Sequence, residues 1–308
     1  MTQKQYLMVS RIGKKSLHDR WLCPAAERAY DVALSSYDET VPEAGGEGVF
    51  FEYRPGRKVE GYDGFLRDRR SLWTGYKYIC FFDEDLETDA DNLNRMFDLC
   101  ASHDLKIAQP ALTHDSYFTY GALLQQPEWS LRYVNFVEMM CPVFRADILG
   151  RAAPLYSLGY ESGIDLIWCN LVAEGPNDFA VLDGAPVRHT EPVGGNKSAN
   201  GFKNGRIYED DIYDILERFN LPWLSCVPYE AQALNDKTTQ SKLRFLAAAF
   251  NTLPAAAKRE SSLQRLRAIL VHLRHIAIRP ARNIKVEWPA TLKTRNSPES
   301  IGNALAEG

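Results

Sequence analysis

A short apolar strand that ends in three consecutive carboxylates constrains the fold of this chain more than any other segment. Residues 78–82 (Y-I-C-F-F) form a continuous apolar run of aromatic and β-branched residues, which is typical of a strand buried on both faces of a sheet. Asp83, Glu84 and Asp85 follow directly, at the strand end where open α/β sheets bind ligands. The segment therefore predicts a central strand with an acidic group at its carboxyl end.

Two interpretations of this acidic run are compatible with its residues. Three adjacent carboxylates repel one another, and a divalent cation such as Mg²⁺ or Mn²⁺ would relieve the repulsion. Such a cation prefers oxygen ligands and binds through one or two protein carboxylates together with substrate phosphates. Alternatively, the run is a solvated acidic turn before a helix, with Glu87 and Asp89 leading into the first helical turn. The segment alone leaves both interpretations open.

Strands and helices alternate through the first two thirds of the chain. The apolar patterns predict strands at 6–10, 49–53, 106–109 and 179–182, an extended segment at 130–144, and helices at 18–37, 89–103 and 162–173. Pro110 is expected to end the strand at 106–109. This alternation predicts an α/β fold with a mixed, mostly parallel sheet flanked by helices. The glycine- and asparagine-rich segment 194–205 is predicted to be a mobile loop or lid.

Charge and cysteine usage limit the classes of protein to consider. A net charge of −4 over 308 residues argues against a nucleic-acid binder. The six cysteines are scattered without a C-x-x-C pair, which favours reduced thiols in a cytoplasmic protein over a zinc site or a disulfide framework. The first ten residues are too polar for a signal peptide, and no run of about 18 apolar residues occurs. We therefore expect a soluble or peripheral cytoplasmic protein.

The end of the chain has a different character. From residue 209 the pattern is predicted to be helical, which divides the chain into a domain at 1–208 and a C-terminal helical extension at 209–308 with a frayed end. Residues 258–285 carry eight Lys or Arg residues against one acidic residue, Glu260. Apolar and basic residues alternate at helical spacing within 258–279, which predicts a basic amphipathic helix. Such a helix either contacts the inner face of an anionic membrane, or packs on the domain or a second subunit; the packing interpretation is favoured.

Five sequence blocks occur in an order that resembles a known family. They are Y-I-C-F-F-D-E-D-L-E, K-I-A-Q-P-A-L, F-V-E-M-M-C-P-V-F, G-Y-E-S-G-I-D-L-I-W-C-N and V-R-H. They resemble the motifs of the domain-of-unknown-function 707 family, a glycosyltransferase-like family with D-E-D-L after a strand, I-S-Q-P-A-L, V-E-x-M-x-P-V-F, G-x-G-x-D and a late His. That family in turn resembles GT-A glycosyltransferases, whose D-x-D motif binds a metal and the pyrophosphate of a nucleotide-sugar donor. The resemblance spans about residues 6–195 and implies a GT-A-like catalytic domain at 1–208.

By this resemblance, the acidic run and a late histidine form a metal and donor site. Asp85 is the first candidate for a Mn²⁺ or Mg²⁺ ligand, and Asp83 is expected to contact the donor ribose or sugar and to contribute to the metal site. His189 would complete the metal shell, although a histidine at a strand end is ordinarily a hydrogen-bonded surface residue. Glu84 is expected to point the opposite way and to be structural, because side chains alternate along an extended strand.

The acceptor side depends on three further carboxylates. Asp165 is the candidate general base, with Glu161 as a second choice, because deprotonating an acceptor hydroxyl needs a carboxylate opposite the pyrophosphate. Asp165 also stands three residues after Ser162, where a carboxylate can simply cap a helix. Glu138 interrupts the apolar run F-V-E-M-M, so it either binds acceptor hydroxyls or forms a buried ion pair.

Donor contacts are less specific in the sequence. Ser10 and Arg11 end the first strand, Asp38 follows the helix predicted at 18–37, and Arg69 or Arg70 precedes the acidic strand. Arginine suits bidentate recognition of phosphate, but a solvated basic helix face explains any single one of these residues equally well.

The resemblance implies a metal-dependent glycosyltransferase that moves a sugar from a nucleotide-sugar to a glycan or lipid-linked acceptor, with inversion or retention left open. Polysaccharide biosynthesis would be the corresponding process. Two other classes stay open, a nucleotidyltransferase and a non-catalytic binding protein of the same fold. The nucleotidyltransferase interpretation has less support, because no glycine-rich phosphate loop follows the first strand of this chain.

Overall fold

The computed structural model describes residues 4–193, 207–235, 237–256, 262–290 and 292. Its strands are β1 (Tyr6–Ile12), β2 (Tyr30–Ser36), β3 (Val49–Tyr53), β4 (Tyr78–Phe81), β5 (Leu86–Glu87), β6 (Ile107–Leu112), β7 (Trp129–Val134), β8 (Val143–Arg145), β9 (Phe179–His189), β10 (Pro228–Ala233) and β11 (Thr238–Thr239). Its α-helices are α1 (Lys58–Asp68), α2 (Arg70–Trp73), α3 (Ala90–Ser102), α4 (Ala146–Ala152), α5 (Asp165–Val172), α6 (Tyr208–Arg218), α7 (Lys242–Asn251), α8 (Leu253–Ala256) and α9 (Ser262–Ile278). The predicted loop at 194–205 lies outside the described residues.

The strands other than β5 form one mixed sheet in the order β11-β10-β7-β9-β6-β8-β4-β1-β2-β3, and β5 pairs with β9 beside this order. Strands β1 to β4, β6, β9 and β10 run in one direction, while β7, β8 and β11 run in the other. The predicted mixed, mostly parallel sheet is confirmed. Its central acidic strand is also confirmed: β4 lies between β1 and β8, and all four of its residues are buried.

The helix predicted at 18–37 is wrong. The segment instead contains two 3₁₀ turns, His18–Trp21 and Ala25–Glu27, followed by the parallel strand β2. Every residue of β2 is buried, and a short buried strand cannot be distinguished from a buried helix by periodicity alone.

The expectation that Pro110 ends its strand is also wrong, since β6 continues to Leu112. On one side β8 pairs only with Ile107 and Ala108, so the missing N–H of Pro110 is not needed there. On the other side the pairing with β9 becomes irregular just after Pro110. The proline therefore lies where the sheet pairing already loosens.

The predicted C-terminal helical extension is only partly helical. Strand β10 pairs with β7 and carries β11, so this part of the chain extends the same sheet. The amphipathic helix is confirmed as α9 over its described residues, and residues 257–261 lie outside them. Ile269 and Ile276 are buried in α9, which packs on α7 and on the 3₁₀ turn Gly121–Leu123. Packing on the domain is therefore observed, whereas membrane contact and self-association stay predictions.

Among the described residues, no helix is both long and apolar enough to cross a membrane.

A buried ion pair joins β7 to β9. Arg132 donates two hydrogen bonds to the Asp183 carboxylate, at 2.7 and 2.9 Å, and two more to the carbonyl oxygens of Ala122 and Leu124. The side chains of both ion-pair partners are at most 1% exposed. The guanidinium thereby fixes the turn at 121–123 against the sheet.

We expect Asp183→Ala to destabilise the protein by about 3–5 kcal/mol, because the Arg132 charge would remain buried without its partner. Urea unfolding followed by circular dichroism measures the effect. Asp68→Ala serves as the control, since the Arg54–Asp68 pair at 2.9 Å is much more exposed and should contribute at most about 1 kcal/mol. Equal losses in the two variants would contradict the assignment.

Candidate active site

The ends of β4 and β9 bring an aspartate and a histidine together. Strand β9 extends past its pairing with β6 and forms an antiparallel pair with β5, which places Leu86 opposite His189. Thr190 donates hydrogen bonds from its N–H and its hydroxyl to the Asp85 carbonyl. As a result, Oδ2 of Asp85 lies 3.1 Å from Nε2 of His189, although the residues are 104 positions apart.

The other nitrogen of His189 is held by the main chain. Nδ1 lies 2.9 Å from the Tyr117 carbonyl oxygen, which can only accept, so Nδ1 carries the proton. Burial lowers the pKa of His189, but the hydrogen bond and charge of Asp85 outweigh it and raise that pKa above its usual value. Nε2 and the Asp85 carboxylate therefore lie at hydrogen-bonding distance and form an ion pair when His189 is protonated. A carbonyl on Nδ1 is the usual support of a metal-binding histidine.

The separation of this pair fits one octahedral ion. Mg²⁺ holds its ligands about 2.1 Å away at right angles, which places neighbouring ligand atoms about 3.0 Å apart. The distance from Asp85 Oδ2 to His189 Nε2 is 3.1 Å. Within the described residues, no group of three or more His, Cys, Asp or Glu side chains could hold a metal ion. The pair therefore supplies two ligands at most, and waters and substrate phosphates would supply the rest.

Asp83 is engaged by a lysine that the sequence analysis did not single out. Lys58 is the first residue of α1, and its Nζ lies 2.6 Å from Oδ1 of Asp83 and 3.0 Å from the Met139 carbonyl oxygen. Burial raises the pKa of Asp83. The charge of Lys58 lowers this pKa and the charge of Asp85 raises it, and the net result is a raised pKa. Burial lowers the pKa of Lys58, but Asp83 and the other carboxylates outweigh it and raise that pKa. Lys58 therefore stays cationic beside the acidic run.

The Glu84 side chain has different hydrogen-bond partners from those of Asp83 and Asp85. Its carboxylate accepts hydrogen bonds from the Gly13 N–H and the Tyr37 hydroxyl. Its main-chain carbonyl accepts from Leu17. These contacts connect the end of β4 to the loops after β1 and β2, as expected for a structural residue.

A cavity of about 300 Å³ adjoins the acidic run and contains the predicted acceptor residues. Three carboxylates line it: Glu138, Glu161 and Asp165. Lys58 also lines the cavity, and Tyr120 and Tyr208 contribute aromatic surface. The structure therefore brings all three predicted acceptor-side carboxylates together with Lys58, the partner of Asp83.

Asp165 is a buried carboxylate in the lining of this cavity. Its side chain is buried, and Oδ2 accepts a hydrogen bond from the Met139 N–H at 3.3 Å. Burial raises its pKa to about 6. The capping box with Ser162 does not form, because α5 begins at Asp165 and the Ser162 hydroxyl donates to the Tyr208 carbonyl, but Asp165 does lie in the first turn of the helix, where its carboxylate can cap it.

Glu138 and Glu161 differ in how they are held. Glu138 forms no ion pair within the described residues, and its Oε2 is buried without a hydrogen-bond partner. Burial and then the charge of Asp165 raise the pKa of Glu138 to about 8. Glu161 accepts a hydrogen bond from the Val59 N–H at 3.1 Å, so it caps the N-terminus of α1. Glu138 is therefore the carboxylate that still has a hydrogen-bonding position to offer a ligand.

The predicted donor residues are held by partners outside the Asp83, Asp85 and His189 group. Ser10 is buried, and the Arg11 guanidinium donates to Ser35 and to the carbonyl oxygens of Arg54 and Gly56. The remaining contacts are Arg69 with Glu52, Asp38 with Thr40, and Arg70 above the ring of Trp73. In the described part of the chain, no hydrogen bond joins these residues to Asp83, Asp85 or His189, and their donor roles stay predictions.

No family model matches the chain, and no curated protein matches it. Among solved structures, the chain is similar to the crystal structure of S. aureus TarS residues 1–349 in complex with UDP-GlcNAc, with a TM-score of 0.41 and 10% identity over 89% of this chain and 73% of that chain. A second structure of the same TarS segment gives a TM-score of 0.38 and 9% identity over 89% and 72% of the two chains. The functional assignment below therefore depends on the geometry of this site.

Proposed function

We propose that this protein is a metal-dependent glycosyltransferase that uses a nucleotide-sugar donor and a glycan or lipid-linked acceptor. The observation that carries the proposal is the Asp85–His189 pair, whose Oδ2–Nε2 separation of 3.1 Å matches neighbouring ligands of one octahedral ion. A carboxylate-lined cavity with a buried base adjoins that pair. Membership of the domain-of-unknown-function 707 family is part of the same proposal.

On the donor side, each residue has a defined task. Asp85 and His189 would hold the ion, and the Tyr117 carbonyl fixes the orientation of the His189 ring. When bound, Mn²⁺ or Mg²⁺ neutralises the charge that develops on the departing nucleoside diphosphate. Lys58 places a second positive charge beside Asp83, where it can donate to a phosphate or sugar oxygen.

On the acceptor side, Asp165 accepts the proton of the attacking hydroxyl. A pKa of about 6 leaves this carboxylate ionised at neutral pH, yet more basic than an exposed aspartate. Glu138, with its unpartnered Oε2, is placed to hold an acceptor hydroxyl next to Asp165. The acceptor oxygen attacks the anomeric carbon, the bond from that carbon to the diphosphate breaks, and the hydroxyl proton passes to Asp165.

Thermal unfolding with Mn²⁺ and a panel of nucleoside diphosphates tests this function. A diphosphate at about 100 times its dissociation constant should stabilise the protein by about 2.7 kcal/mol, which raises Tm by several degrees. The shift should require both the metal and the nucleotide, and a nucleoside without phosphates serves as the control. The absence of a shift with every nucleotide would overturn the proposal. Incubation with a nucleotide-sugar should release a nucleoside diphosphate, whereas pyrophosphate release from a nucleoside triphosphate would indicate nucleotidyl transfer.

A further inference from the structure

A second cavity of about 300 Å³ opens beside the first, against helix α9. We name it the α9 groove, and its residues with polar or aromatic side chains at the surface include Tyr120, Trp223, Ser225, Gln264, Arg267 and His275. None of these residues has a task in the proposed transfer reaction. The groove therefore needs its own explanation.

The two cavities share a wall. Thr119 and Tyr120 line both of them. Burial raises the pKa of Tyr120, and the charges of Asp165 and Glu138 raise it further, which places the Tyr120 side chain next to the carboxylates of the first cavity. A chain-like ligand that occupies both cavities would therefore cross this wall at Thr119 and Tyr120.

The α9 side of the groove has a defined position, because α9 is fixed to the domain by specific contacts. Arg265 of α9 donates to the carbonyl oxygens of Ser116 and His114 at 2.5 and 2.7 Å, and its guanidinium lies over the ring of Phe118. Gly121 permits the close approach of the helix, because a Cβ at this position would lie 3.1 Å from the Ala268 carbonyl oxygen. The wall that α9 contributes is thus held in place on the same segment that holds His189.

The lining of the groove suits a sugar ring. Trp223 is 42% exposed and leaves part of its indole surface available for stacking. Hydrogen-bonding groups surround it: the Ser225 hydroxyl lies 3.3 Å from Nε2 of His275, and Gln264 lies in the same lining. An aromatic surface with a few converging polar groups is a general feature of small-ligand sites.

The charged side chain in the lining of the groove is basic. Arg267 lies in this lining, which contains no Asp or Glu, whereas the lining of the first cavity combines three carboxyl groups with Arg57 and Lys58. Burial lowers the pKa of His275, and the charges of Arg279 and Arg274 lower it further, so two more guanidinium groups act on this region. A ligand in the groove therefore meets the positive charge of Arg267 in the same lining as Trp223.

We infer that the α9 groove binds an anionic unit of the acceptor, a sugar that carries a carboxylate or phosphate next to the unit whose hydroxyl is glycosylated. This inference rests on the proposed function for the orientation of the acceptor, and it adds that the acceptor is a negatively charged glycan. Trp223 stacks on the sugar ring, and Arg267 forms a charged hydrogen bond with its anionic group.

Binding of defined trisaccharides to the complete chain tests the inference without turnover. The probes are a neutral trisaccharide, a uronic-acid trisaccharide and a trisaccharide phosphate, with tryptophan fluorescence and ligand-observed NMR as readouts. At least one anionic probe should bind about tenfold or more tightly than the neutral one, and the preference should weaken with added salt. The two anionic probes distinguish a carboxylate from a phosphate as the recognised group.

Variants of groove residues assign the binding to this place. Arg267→Gln should remove the preference for the anionic probe, and Trp223→Ala should weaken all three probes. Arg244→Gln, an exposed arginine on α7 outside the groove lining, should leave binding unchanged. Equal affinity for charged and neutral probes, undetectable binding, or anionic binding that survives both groove variants would each overturn the inference.

The donor-side thermal shift separates failure of this inference from failure of the proposed function. Arg267→Gln should keep the shift with Mn²⁺ and nucleoside diphosphate, because Arg267 does not line the first cavity. A normal shift without trisaccharide binding overturns the groove inference and leaves the glycosyltransferase proposal intact. Trisaccharide binding without any nucleotide shift overturns the proposed function and leaves a glycan-binding groove.

Discussion

Asp85→Asn is expected to abolish the combined thermal shift with Mn²⁺ and nucleoside diphosphate, and to lower kcat at least about 100-fold. Asp85 has a short contact with His189, and the amide would replace the only negative ligand of that pair. An asparagine keeps the shape of the side chain but supplies no charge for a divalent cation. Calorimetric titration of Mn²⁺ in the presence of the nucleotide measures the loss directly.

Two further variants define the result for Asp85. His189→Ala should cause a similar loss, and the double variant should be little worse than either single one, because the two residues act on one ion. Asp91→Asn, an exposed carboxylate on α3, should retain the wild-type shift. Full nucleotide and metal binding in Asp85→Asn would show that the acidic run is a solvated turn.

Asp165→Asn is expected to lower kcat about 10²- to 10⁴-fold while leaving the donor thermal shift unchanged. The wild-type rate should rise with pH through about 6, because Asp165 must lose its proton before it can accept one from the acceptor. Stopped assays of product formation between pH 5 and 8 measure this profile. The variant should lose the limb near pH 6 together with the activity.

The same substitution should stabilise the protein at neutral pH. The folded-state pKa of Asp165 is raised from 3.8 to about 6, so the native state retains its proton over a range in which the unfolded chain has lost it. Stability from this group is therefore complete below about pH 4 and is lost as pH rises through 6, at a cost of roughly 2–3 kcal/mol. Asp165→Asn removes this loss, so its Tm should exceed that of the wild type at pH 7.5 and equal it near pH 4.

A purely structural Asp165 gives a different outcome. If the residue only fixes the Met139 N–H, Asp165→Asn would preserve kcat at every pH, because the amide oxygen can accept the same hydrogen bond. Asp98→Asn is the control, because it removes the charge of an exposed carboxylate on α3 and should change neither kcat nor Tm. Loss of activity together with a gain of stability at neutral pH is the combination that identifies a buried base.

Local sequence was sufficient where one short segment decides its own structure. The run at 78–82 predicted a buried strand because its residues are apolar on both faces, and β4 is that strand. Helix α3 was predicted almost to its ends, because its apolar residues recur at helical spacing and Asp89 caps its first turn. The same reasoning misread the segment at 18–37, where β2 is too short and too uniformly buried to show a period.

The sequence by itself determined the class of fold and the acidic end of its central strand, since both follow from burial patterns within a few residues. Only the tertiary structure decided that Asp85 meets His189, that Lys58 faces Asp83, and that α9 forms a groove beside the acceptor cavity. These contacts join residues separated by tens to more than a hundred positions, and their geometry depends on strand register and helix packing across the whole sheet. Local propensity carries no information about such registers, because they are set by which surfaces bury one another when the chain folds.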